Sequence, residues 1–300
     1  MPAQGSRGSI SEDDEPSAGS ARLVLAFNTR MQFWRLHHPD YDSDYKHSYI
    51  NGSLEHPFGL PGVQCDICRQ TWGGSRILPF ECPISIRVRK HLKERWPISL
   101  EQHQALQRDV QDEFSKAGII VSTLRPGDDF QPAYLDVPSR PRADFLWSSL
   151  GSVVVSERIR ALFESERIGG VAFCPVTLRR IGKREAKLPP PMPSTGEPED
   201  ILKEVPLLTR RGSVRPYYEM VILSDSAYPP GGEPVFVCSG CGWESIDNDK
   251  RQIVMRPSMW QGGDIFFLAT TLHIIISDRL RSLLQALKVT NAEFKTCHEG

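Results

Sequence analysis

Two cysteine pairs in this chain carry the spacing at which a tight turn presents two thiolates to one ion. They are Cys65-x-x-Cys68 within "GLPGVQCDICRQTWGG" (59–74) and Cys238-x-x-Cys241 within "CSGCGW" (238–243). Two such turns together complete a four-cysteine zinc site with metal–sulfur bonds of about 2.3 Å. Four thiolates saturate a tetrahedral ion, so a metal held by Cys65, Cys68, Cys238 and Cys241 would be structural and not catalytic. Gly240, Gly242 and the flanking Gly62, Gly73 and Gly74 suit a knuckle, because glycine tolerates the positive φ such a turn demands. Trp72 and Trp243 lie four and two residues beyond their pairs and can cover the site with apolar surface. A redox dithiol is the second possibility, and pairs that hold no metal the third. Redox use wants the motif at a helix N-terminus after a strand, where the dipole lowers a thiol pKa. Here Pro61 and the glycines favour turns.

From Cys68 to Cys238, 169 residues intervene. Closing so long a loop is entropically tolerable, since the cost grows only logarithmically with length. The bulk numbers suit the structural reading. With 36 Lys and Arg against 37 Asp and Glu, the net charge of −1 gives no whole-molecule attraction to nucleic acid or anionic membrane. No apolar run is long enough to span a bilayer, and "MPAQGSRGSISEDDEPSAGSA" has no signal-peptide core, so a cytoplasmic protein without a membrane partner is expected. Reducing cytosol disfavours disulfides, and seven cysteines cannot all pair. The isolated Cys82, Cys174 and Cys297 read as small buried hydrophobes.

The elements that must position the pairs form an α+β pattern. Residues 1–21 are polar and poor in large apolar groups, which predicts a disordered tail. Residues 22–300 then form a single domain. Within it "ARLVLAFNTRMQFWRL" alternates like a strand through Phe33 and Trp34. "SLEQHQALQRDVQDEFSKAG" (99–118) reads as an amphipathic helix with Ser99 as N-cap, Leu106, Val110 and Phe114 on one face, and Gly118 as terminator. Three consecutive prolines make 183–200 a surface loop, dividing possible halves 22–182 and 201–300. These halves share a repeat: 145–173 aligns without gaps to 266–294. The alignment pairs Phe145 with Phe266, Ser156 with Ser277, Arg158 with Arg279, Arg160 with Arg281, Leu162 with Leu283 and Phe173 with Phe294. Each copy runs from a β-branched strand through a serine N-cap into a helix and on to a second strand, giving two similar strand-helix-strand units. Convergent amphipathic patterning is the competing account. The paired arginines, two residues apart on a helix, do not share a face and are expected to meet solvent or nearby carboxylates.

The motifs resemble the myxobacterial double-CXXCG family of immunity proteins, which protect a cell from a toxin exchanged between kin. The resemblance rests on "MQFWRL" (31–36), "GLPGVQCDIC...TWGG", "CSGCGW" and the closing "IIISDRLRSLLQALKVTNAEF", and spans 31 to about 296. It implies a protein that binds and neutralises a cognate toxin. Two features depart from the pattern. The family starts near Met31, and it has glycine where this chain has Arg69. Arginine at positive φ costs roughly 1 kcal/mol, so the first knuckle is expected to bend differently from the second.

An enzyme reading finds no support: G-x-S-x-G, a P-loop, G-x-G-x-x-G after a strand and H-E-x-x-H are all missing from the sequence. His37, His38 and Asp40 read as a solvated polar loop, His47 sits in a tyrosine-rich segment (39–50), and His273 reads as a sheet histidine. A zinc-containing nucleic-acid-binding module is the competing function. "SIRVRKHLKERW" (85–96) and "LRRIGKREAK" (178–187) can contact phosphates, with Trp96 for stacking. Under the toxin-binding reading, the exposed segments 183–200 and 39–50 are the candidate contact surfaces.

Overall fold

A computed structural model of the chain describes residues 32–39, 54–81, 85, 88, 91–92, 96–121, 123–137, 141–148, 152–180, 216–229, 231–246, 255–269, 271 and 273–297, which belong to one compact unit. The tail 1–21, "ARLVLAF", the loop 183–200, the segment 40–50 with His47, and Cys82 lie outside the described residues. The α+β expectation holds: the described residues form mixed sheets and three extended α-helices, α1 (Leu100–Lys116), α2 (Glu157–Ser165) and α3 (Asp278–Ala286). No helix among the described residues is long and apolar enough to cross a membrane.

Helix α1 follows from local sequence. Ser99 caps it by accepting from the Gln102 amide while the Gln102 side chain accepts from the Ser99 amide. Leu106, Val110 and Phe114 are buried on one face, against Leu60, Leu78, Leu124 and Phe130. Gly118, at φ 74°, ends the helix.

The β-branched runs build the sheet interiors. In a six-stranded sheet the order is β10 (Phe145–Trp147), β11 (Val153–Ser156), β13 (Tyr217–Ile222), β12 (Val171–Arg180), β9 (Ala133–Val137) and β2 (Leu54–Glu55). Only β12 and β9 run parallel there. A four-stranded antiparallel sheet has the order β16 (Ile265–Phe267), β17 (Ile274–Ser277), β1 (Phe33–His37) and β18 (Glu293–Thr296). Smaller sheets are β3 (Phe58–Gly59), β8 (Asp129–Gln131) and β6 (Ile77–Glu81); β5 (Thr71–Trp72), β4 (Val63–Gln64) and β7 (Ile98–Ser99); and the ribbon of β14 (Phe236–Val237) and β15 (Glu244–Ser245).

Strand β1 comes from the start of the described chain yet lies between β17 and β18 from its end. Its place there corresponds to that of β13 between β11 and β12. Tyr218 stands opposite Val155 and Pro175, and Trp34 opposite Ile276 and Thr296. Arg160 lies over the Tyr218 ring and Arg281 over the Trp34 ring. The gapless alignment needs one correction. Phe145 pairs with Val155, and Ile265 pairs with Ile276, so Phe145 corresponds to Ile265 and not to Phe266. The physical reason is the hairpin: 148–152 connects β10 to β11, while 268–273 connects β16 to β17 and is one residue longer.

Helices α2 and α3 cover these sheets and share one core, in which Ile159 and Phe163 join Leu280, Leu284, Leu36, Phe145 and Ile265. The arginines do find carboxylates. Asp144 accepts from Arg158 and from Ser156 Oγ (2.9 Å), and Asp264 accepts from Arg279 (2.8 Å) and Ser277 Oγ (2.7 Å). Ser277 also caps α3 by accepting from the Leu280 amide, whereas Ser156 donates to Asp144 but makes no side-chain cap on α2. Each cluster then grips the turn that follows the other helix. Asp144 accepts from the Thr290 amide, and Arg279 donates to the Glu166 carbonyl.

Burial opposes ionisation of Asp144, but Arg158, the Thr290 amide and Ser156 outweigh it and hold its pKa below the usual carboxylate value. A depressed folded-state pKa stabilises above the unfolded value of about 3.9 and ceases to do so as pH falls through the folded value. Asp144→Asn should therefore lower unfolding free energy by about 1–3 kcal/mol near neutral pH. Denaturant titrations at neutral and acidic pH should show the deficit shrinking in acid.

Candidate metal centre

Each cysteine pair occupies the turn of a short hairpin, between β4 and β5 for Cys65 and Cys68, and between β14 and β15 for Cys238 and Cys241. The two turns are built alike. In the first, the Cys65 amide donates to the Gln70 carbonyl (2.9 Å) and the Arg69 amide to the Cys65 carbonyl (2.8 Å). In the second, Cys238 donates to Trp243 (2.8 Å) and Gly242 to Cys238 (2.9 Å). Arg69 has φ 58° and Gly242 has φ 75°. The expectation that Arg69 makes the first knuckle bend differently is thus corrected: arginine accepts the left-handed conformation, and the bend is the same.

The four sulfurs lie within 4.8 Å of one another. Cys65 Sγ is 3.8 Å from Cys238 Sγ, and Cys68 Sγ is 3.7 Å from Cys241 Sγ. A disulfide needs about 2.05 Å, so these are free thiols. A tetrahedron with metal–sulfur bonds of about 2.3 Å has edges of about 3.8 Å. The donor set and its spacing therefore fit a metal ion. Both contacts cross from one knuckle to the other, so an ion here would tie the two hairpins together.

Around the sulfurs, Val63, Leu100, Trp72 and Trp243 form an apolar shell. Trp72 Nε1 donates to Cys241 Sγ at 3.2 Å, which fixes the ring over the cluster. The thiols are not equivalent. Amides of Cys241 and Gly240 pull Cys238 down to about 6, whereas burial pushes Cys241 up to about 12 and raises Cys68. A cation would favour the thiolate at all four, because metal ligation requires deprotonated sulfur.

The flanking glycines act differently from expectation. Gly62, Gly73 and Gly74 do not relieve a positive φ in the knuckle; they allow a close backbone crossing. A Cβ on Gly127, at φ 82°, would lie 2.3 Å from the Gly74 carbonyl oxygen and 2.5 Å from its nitrogen. This crossing anchors the segment after β5 to the turn before β8. Leu100 was not legible as part of the site. It reaches the sulfurs because β7 runs parallel beside β4 and leads directly into α1; the apolar pair Ile98 and Leu100 around Ser99 is the available sequence signal.

All four predicted ligands are brought together. Cys174 and Cys297 are buried elsewhere, as expected of small hydrophobes. His37 is corrected: it belongs to β1 and is 8% exposed, so it is no loop residue. Both motifs lie in hairpin turns and neither begins a helix, which removes the geometric support for a redox dithiol.

Elemental analysis should find about one metal ion per chain. Cys65→Ser and Cys238→Ser should each lose it together with stability; metal retained by both variants rules out the shared centre. Arg69→Gly should be tolerated or stabilise by up to about 1 kcal/mol, while β-branched Arg69→Val should destabilise, since both act on a positive-φ position. Thermal melts of the metal-loaded proteins would measure this. No family model and no curated protein matches this chain.

Proposed function

We propose that this is an immunity-type protein that binds and neutralises a cognate protein toxin in the cytoplasm, with a structural zinc ion on Cys65, Cys68, Cys238 and Cys241. The observation that carries the reading is the pair of like-built knuckles. The motif order by which the chain resembles the double-CXXCG family is also the order that brings the four sulfurs within 4.8 Å. Soft thiolates in a tetrahedral set select zinc over hard cations, and four of them leave no position for a substrate. A structural role follows.

Neutralisation by occlusion requires a rigid surface with a few large anchors. The knuckle hairpins supply one. Ile67 is 61% exposed and Phe236 47%, with Val235 and Val237 exposed beside it. Phe236 packs against Trp243, which belongs to the shell over the sulfurs. These exposed apolar side chains on two neighbouring hairpins are the candidate anchors.

The proposal includes a single domain over 22–300, in which the two strand-helix-strand units are copies of one ancestor. Three sets of matched features support this: the corresponding registers, the left-handed Arg167 and Lys288 (both φ 53°), and the left-handed Gly170 (φ 91°) and Asn291 (φ 63°). A second reading, a nucleic-acid-binding module, has the 65% exposed Trp96 in its favour.

Co-expression with candidate protein toxins, followed by pull-down and growth rescue, decides between them. Capture and rescue are expected, with Phe236→Ala weakening binding by about 2 kcal/mol. Neither capture nor rescue, combined with salt-dependent retention on DNA or RNA, would select the second reading.

A further inference from the structure

The four-stranded sheet carries a cluster of basic side chains away from the cysteine centre. Along β1, Trp34 and Leu36 belong to the core beneath α3, while Phe33 packs on the opposite side, so alternation sends Arg35 and His37 there too. Register sets Lys295 directly opposite Arg35, and the β1–β17 ladder, continued by one pair, brings His273 opposite His37. Four basic residues from three adjacent chain segments thus share one face. Glu293 stands opposite His37, 3.9 Å from its Nε2.

Like charges directly opposite each other destabilise a ladder, and here the pair is Arg35 with Lys295. Arg35 Nε is buried without a hydrogen-bond partner, and so is His37 Nε2. Among the described residues no carboxylate pairs with the Arg35 guanidinium. His37 Nδ1–H donates to the His38 carbonyl, so Nε2 carries the lone pair in the neutral ring and becomes a donor toward the cluster on protonation. The charge is felt locally. Burial first, then Lys295 and Arg35, holds His37 below its usual pKa, and burial with Arg35 and His37 does the same to His273. At the position in the six-stranded sheet that corresponds to Arg35 stands Glu219, whose Oε2 accepts from His56 and Gln131. Strand geometry does not demand a base at this place.

A buried guanidinium donor without an acceptor, as at Arg35 Nε, is rare in native proteins and is explained by a bound acceptor. We propose that Arg35, His37, His273 and Lys295 form a binding site for a small tetrahedral oxyanion of the phosphate type. The Arg35 fork offers two parallel donors to two oxygens. Exposed Lys295 meets the anion from the solvent side, and buried His37, taking up a proton at Nε2 as the anion binds, forms the floor. An anion between Arg35 and Lys295 converts their repulsion into two attractions.

The test is calorimetric titration of the full chain with inorganic phosphate at constant ionic strength, with chloride as the control. Saturable binding is expected, with Kd of about 1 mM or tighter. Arg35→Gln and Lys295→Gln should each weaken it about tenfold or more. Lys295 is exposed, so its variant decides the matter even where Arg35→Gln fails to fold. A parallel titration with adenosine monophosphate identifies the source. Affinity like that of phosphate supports a free-anion site, and much tighter binding supports the same site receiving a nucleotide's phosphate. No saturable binding in the wild type, or unchanged affinity in Lys295→Gln, overturns the assignment.

Discussion

The architecture depends on closing the start of the chain onto its end. It does so twice, through β1 inserted between β17 and β18, and through the sulfurs that join the hairpin at 63–72 to the hairpin at 236–245. Such closures cost conformational entropy before they return any contact energy. In the first, backbone ladders on both edges of β1 and the burial of Phe33 and Leu36 offset that cost. In the second there is little core to do so: four thiols, two tryptophans and a few aliphatic side chains. Thiols are weak hydrogen-bonding partners, and a metal ion is what makes such a cluster strongly cohesive.

Between the two closures, the helix-bearing units hold each other through reciprocal contacts. Asp144 grips the turn after α3, and Arg279 grips the turn after α2. Close packing at these turns explains the residues found there. A Cβ on Gly170 would lie 2.4 Å from the Ile265 carbonyl oxygen, whereas Asn291 places its Nδ2 2.7 Å from the Phe145 carbonyl oxygen. Phe145 and Ile265 correspond in register, so one contact is solved by omitting a side chain and the other by turning it into a donor. Both solutions use the left-handed region, which glycine and asparagine enter at least cost.

Much of this was legible because the signals were local. The capped helix at 99–118 follows from Ser99, Gln102 and the four-residue spacing of Leu106, Val110 and Phe114. The knuckles follow from the cysteine spacing. What was not legible depends on distant partners. The identity of Phe145 with Phe266 suggests a gapless repeat, but strand register is set by cross-strand pairing, and one extra hairpin residue shifts it. The insertion of β1 leaves no trace in the pattern of residues 33–37 beyond alternation. Arg35, His37, His273 and Lys295 are scattered in sequence, and only the sheet makes them neighbours. Arg69 is instructive in the opposite sense. Its side chain argued for a different bend, but the hydrogen bonds of the knuckle outweigh a propensity penalty of roughly 1 kcal/mol.

The placement of the exposed apolar side chains is the point at which architecture meets the proposed function. Ile67 lies between the two cysteines of the first knuckle, and Val235, Phe236 and Val237 lead into the second. A Cβ on Gly240 would lie 2.5 Å from Ile67 Cδ1, so the first knuckle's exposed anchor rests directly on the backbone of the second. Free two-residue strands hold such side chains poorly, because an isolated hairpin is marginally stable. On the proposed reading, an ion fixing both turns would order the anchors before any partner arrives, and the entropy lost on association would fall accordingly. A metal with no open coordination position would in that way govern affinity without touching the partner.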